Sequence, residues 1–82
     1  LLLLNDPNYQ QAARALAERA LREPKRPLEK AFLLATGRSA KPAELAELQT
    51  FLSAQLQHSS KLAAWTLLAS LLLNLDEVQT QH

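Results

Sequence analysis

The stretch 62-LAAWTLLASLLLNL-75 decides the fold. It carries no charge, and leucine and alanine fill most of it. Both are strong helix formers, whereas strands draw on β-branched and aromatic side chains. The uncharged run also falls short of the ~20 apolar residues that a membrane span needs. A helix that is apolar nearly all round sits at the centre of a core, or something else covers its outer side. Trp65 is its largest anchor.

The same bias extends over the whole chain. Leucine (20) and alanine (14) make up a large share of the 82 residues, and isoleucine and cysteine are absent. The β-branched residues are only Thr36, Thr50, Thr66, Thr80 and Val78. An all-α domain follows, an irregular compact array of four helices at about 7–23, 27–36, 42–57 and 61–75. Without cysteine there is neither a disulfide nor a thiolate metal site. A chain of this length buries only ~60–65% of its unfolded surface, so its stability margin is thin.

Working outward, each helix has its own punctuation. Asp6 is the expected N-cap of the first and Pro7 its N1 residue. Tyr9, Ala12, Ala13, Leu16 and Ala20 recur at helical spacing on one face. Arg14, Glu18 and Arg22 share another face at i,i+4. Pro24 and Pro27 end this helix and begin the second, whose inner stripe is Leu28, Ala31, Phe32 and Ala35. Gly37 stands where a left-handed C′ residue is wanted. Arg38 is expected to bond the carbonyls freed there. Pro42 opens the third helix, with Glu44 in its first turn, where the macrodipole favours an acid. Its stripe is Leu45, Leu48, Phe51, Leu52 and Leu56. Ser59 or Ser60 can cap the fourth. Phe32 and Phe51 are expected in the core, and Tyr9 and Trp65 are expected partly exposed with a wet polar tip.

Leu1–Leu4 read as the last turn of an upstream helix whose leucines pack on this core. They lack the charged n-region and cleavage site of a secretory signal. With no initiator methionine, the chain reads as one helical domain, residues 1–82, excised from the C-terminal part of a larger protein.

The net charge is +1. Eight Lys and Arg lie between Arg14 and Lys41 against Glu18, Glu23 and Glu29, a local surplus of five. Cations near a helix C-terminus are ordinary dipole partners. Glu44 and Glu47 near the start of the third helix would repel phosphate where a reading helix must enter a groove. Neither a nucleic-acid partner nor a cofactor is expected. His58 and His82 have no i,i+3 or i,i+4 partner with which to hold a metal. Adjacent Asp76 and Glu77 point in different directions on a helix and do not share a proton. They read as a helix end plus surface charge, with Asn74 near the stop. The serines have no recurring His–acid context, and Gly37, the single glycine, cannot form a phosphate-cradling loop.

Three stretches, LLLLNDPNYQQAARALAERAL, LEKAFLLATGRSAKPAEL and AAWTLLASLLLNLDEV, add to one another. In this order they resemble the C-terminal planctomycete-type domain of unknown function, found in large exported proteins with planctomycete cytochrome-c-like domains. The most specific pieces are Leu4-Asn5-Asp6-Pro7, Ala31-Phe32 through Gly37-Arg38, and Leu73 through Glu77. The family usually has Thr or Ser where Lys41 stands, and an aromatic where Val78 stands. Lysine cannot accept the capping bond. The resemblance implies a segment of a multidomain protein at the cell surface or in the periplasm. It implies no haem site here, because Cys-x-x-Cys-His is missing.

The functional expectation is a non-catalytic structural or interaction module that packs against upstream domains of its own chain. Its interaction candidates are Arg38, Trp65, Asn74, Asp76 and Glu77. The alternative is an accessory part of an enzyme site, with Arg38, Asp76 or Glu77 completing a centre formed upstream.

Overall fold

The computed structural model describes residues 7–79, with side chains through residue 75. Four helices follow in order: α1 (Pro7–Leu21), α2 (Pro27–Thr36), α3 (Pro42–Leu56) and α4 (Lys61–Gln79). No strand occurs among the described residues. The protein is all-α, as its composition requires. Leu1–Leu4 and the Asp6 cap lie outside the described residues.

α4 is the hub, packing on all three other helices. Its Ala64, Trp65, Leu68, Ala69 and Leu72 are buried. α1 meets it through Ala13, Leu16, Ala17 and Ala20, and three of those four are alanines with no exposed surface. Small side chains let two helix backbones approach closely. The two helices run antiparallel: Tyr9 Oη reaches the Ser70 carbonyl at 3.4 Å, while Leu21 and Trp65 line one groove. α2 adds Phe32, one of the largest fully buried side chains.

The ends follow backbone chemistry. α1 stops at Leu21, two residues before the expected limit. The Arg22 and Glu23 amides turn back to the Arg19 and Ala20 carbonyls, at 3.3 and 3.0 Å. Glu23 precedes Pro24, and the proline ring disfavours helical backbone there. Gly37 closes α2 in the left-handed region, φ +78°, donating to the Leu33 carbonyl at 2.8 Å. Ser60 is the cap of α4, accepting the Ala63 N–H at 3.2 Å.

Four expectations are corrected. α4 does not stop near residue 75 but continues to Gln79. The backbone at Asp76 and Glu77 is therefore helical, because no glycine or proline follows Pro42 to break the hydrogen-bond ladder. On α1, Ala12 is exposed and Ala17 is buried, so the buried stripe is narrower and rotated. On α3, only Leu52 is buried. Leu45, Leu48 and Phe51 are half-buried, and Leu56 is 42% exposed. The cause is placement: α3 touches α4 and α2 but not α1, so its apolar stripe has only part of a surface to lie on. Trp65, finally, is sealed in the core at 5% exposure.

Candidate interaction surfaces

Arg38 is the best-defined polar centre. Its guanidinium donates from Nη1 to Glu44 Oε1 at 3.0 Å and from Nη2 to Glu44 Oε2 at 2.9 Å. It also lies over the Phe32 ring, 4.8 Å from the centroid, within range of a cation–π contact. The turn that carries it is pinned by Thr36, whose hydroxyl donates to the Phe32 carbonyl at 2.8 Å and accepts the Arg38 N–H at 3.3 Å. Arg38 thus reaches forward to α3, where the sequence suggested a link back to α2 carbonyls. It does donate to one carbonyl, that of Ser39, at 3.2 Å.

Glu44 serves two donors. Besides Arg38, its Oε1 accepts the Lys41 backbone N–H at 2.9 Å. This is the half of a capping box that lysine at the N-cap leaves intact. The Arg38 hydrogen bonds, then the Lys41 N–H, lower the Glu44 pKa from 4.5 to about 2. Arg38 is thus held by a carboxylate and a ring of its own chain.

The other candidates separate. Trp65 sits in the floor between α1, α2 and α3 and presents little surface of its own. Asn74 is half-buried on α4, and its Oδ1 is screened from water without a donor among the described residues. The side chains of Asp76 and Glu77 lie outside the described ones. Sequence reasoning missed the partnership of Arg38 with Phe32 and Glu44. The signal was present as an arginine six residues before an N3 glutamate, across a turn just long enough to fold it back.

Apolar surface remains on the outside. Leu67 and Leu75 on α4 are 37% and 40% exposed. They lie with half-buried Leu71 at i,i+4 intervals, a row that leaves the core at Leu67 and comes round to the face of buried Leu68 by Leu75. Leu33 on α2 and Leu56 on α3 are similarly exposed. Among the described residues no helix is long and apolar enough to cross a membrane, and no His, Cys, Asp and Glu cluster could hold a metal ion.

Fold and surfaces together define an all-α array of four helices with uncovered leucines. The chain belongs to the PSD1 family, proteins of unknown function (DUF1553), whose family model matches residues 1–52. That match contains Leu4–Pro7 and Ala31–Arg38, two of the pieces that carry the planctomycete-type resemblance; Leu73–Glu77 lies beyond it. No curated protein and no solved structure matches the chain.

Proposed function

We propose that this chain is a non-catalytic helical module that packs against the rest of a longer parent protein along the outward stripe of α4. The observation that carries this reading is the exposure of Leu67 and Leu75 on α4, the helix that packs on all three others. Fully burying a leucine stabilises by ~1.5–3 kcal/mol. Leu67 and Leu75 are little more than one-third exposed, so covering both contributes ~1–2 kcal/mol. A free bimolecular complex must first offset at least ~4 kcal/mol of lost translational and rotational freedom. A tethered neighbour at effective millimolar concentration is favoured by ~4 kcal/mol over a free partner at micromolar concentration. The size of the stripe therefore favours a partner on the same polypeptide. The Arg38–Glu44 pair supports a non-catalytic role, since its charges satisfy each other.

The test is calorimetry of the intact parent protein. With the native stripe, this module unfolds in the same transition as its neighbour. Leu67→Ser with Leu75→Ser splits off a separate transition at lower temperature. Identical thermograms for both proteins would overturn the reading.

A further inference from the structure

Leu67 lines a trough of about 750 Å³ between the antiparallel helices α1 and α4. The trough runs from Pro7 to Arg14 on α1 and from Ser60 to Ser70 on α4. At 1.5 Å per residue, the α4 wall is ~15 Å long. Leu62, Ala63 and Leu67 give it an apolar side.

The shape of the occupant follows from the walls. Both are helices whose backbone groups bond within themselves, so they offer an extended peptide no ladder to join. A helix satisfies its own backbone and asks only for side-chain contact. Charge selects nothing further. Among the described lining residues only Arg14 is charged, and Glu18 lies 3.6 Å from it. Lys61 follows Ser60 in the chain but lines the groove at Trp65 instead. The trough is therefore close to neutral, and small or apolar side chains suit it better than a charged row.

Chain continuity says which helix this is. Pro7 is both the first residue of α1 and part of the trough. Whatever precedes Leu1 in the parent protein is tied to the trough by six residues, which span at most ~21 Å on any path. So short a tether holds the upstream segment at an effective concentration on the order of millimolar. The downstream chain is less well placed, because α4 passes Ser70 and continues to Gln79, ~14 Å beyond the trough. By count alone, these 82 residues do not supply the occupant. Filling the α4 wall takes about ten helical residues, whereas six precede α1 and three follow α4.

We infer that a helix immediately upstream of Leu1 in the parent protein lies in the α1–α4 trough, antiparallel to α1, with its apolar face on Ala63 and Leu67. This rests on the reading of the chain as a module covered by its own polypeptide, and it names the segment that covers Leu67.

The chain has no cysteine, so Ala63→Cys places one thiol of this region in the trough of the intact parent protein. Position 63 is exposed and the new side chain is small, so the fold is retained. Gln57→Cys, at an exposed position outside the trough, is the control. Maleimide labelling is followed at each position by peptide mass spectrometry. Position 63 should label at least ~tenfold more slowly than position 57, because labelling waits for local opening. Inserting ~20 Gly/Ser residues directly ahead of Leu1 lengthens the tether from six residues to about 26, and with effective concentration falling as the −3/2 power of length, labelling at 63 should speed up about ninefold. Labelling at 57 stays the same. Equal rates at both positions, or protection at 63 that the insertion leaves unchanged, would overturn the inference. If that unchanged protection comes with a shared calorimetric transition, another segment covers the module and only the upstream helix is struck out. Equal rates together with a separate transition in the native parent overturn both this inference and the reading it rests on.

Discussion

Arg38 and Glu44 form a two-bonded pair across the turn between α2 and α3, at 3.0 and 2.9 Å. The same guanidinium caps the Phe32 ring. One residue therefore ties the core of α2 to the first turn of α3. Two parallel bonds fix orientation as well as distance, which a lysine at position 38 could not do.

The pair carries a pH dependence with a definite sign. The carboxyl of Glu44 titrates at about 2 in the folded chain against 4.5 ordinarily. The folded state therefore binds the proton less readily than the unfolded one. The contribution is fully present above pH 4.5 and is lost as pH falls through about 2. Thermal melts of Glu44→Gln should show a lowered Tm at pH 7, with the gap to the native chain closing between those limits. A gap that stays constant down to pH 2 would assign the loss to something other than the ionised pair.

Among the described residues two have left-handed backbone, and substitutions there should move stability in opposite directions. Gly37 has φ +78° with nothing within 4 Å of a Cβ placed on it. Gly37→Ala therefore meets strain alone and should cost ~1 kcal/mol. Arg26 has φ +55° and makes no side-chain cap bond. Arg26→Asn places a residue that tolerates this region and should add ~0.5 kcal/mol. Urea titrations of the two variants check both signs.

Neighbours 67 and 68 on α4 should behave differently. Leu68 has no exposed surface, and Leu68→Ala should cost ~2–5 kcal/mol, enough to unfold a domain this small. Leu67→Ala removes a side chain from the outward stripe and should cost well under ~1 kcal/mol in the isolated chain. Circular dichroism melts distinguish them, and equal losses would mean the stripe is already covered within these 82 residues.

The helices were legible because their punctuation is chemical and local. Pro7, Pro27 and Pro42 each stand first in a helix, and Gly37 and Ser60 perform the end roles that their chemistry suits. What could not be read was which face of each helix finds a neighbour. Leu45, Leu48, Phe51 and Leu56 have the spacing of a core stripe, yet α3 lies off α1 and buries only Leu52. Periodicity records that a face is apolar and says nothing of what covers it. The end of α4 was misplaced for a related reason: Asn74 and the acids after it disfavour helix only weakly, and continued backbone bonding outweighs them. Of the candidate residues, Trp65 lies in the core and Arg38 is bonded to Glu44. Asn74 kept an oxygen without a donor among the described residues.

The central claim is that a neighbour in the same polypeptide covers the outward stripe of α4. A photo-crosslinking residue at position 67 of the intact parent protein tests it most directly, with one at exposed Gln57 as the control. Cross-links from position 67 to residues upstream of this module in the same polypeptide, and few from position 57, are the predicted result. Equal labelling from both positions, or products only between separate molecules, would contradict it.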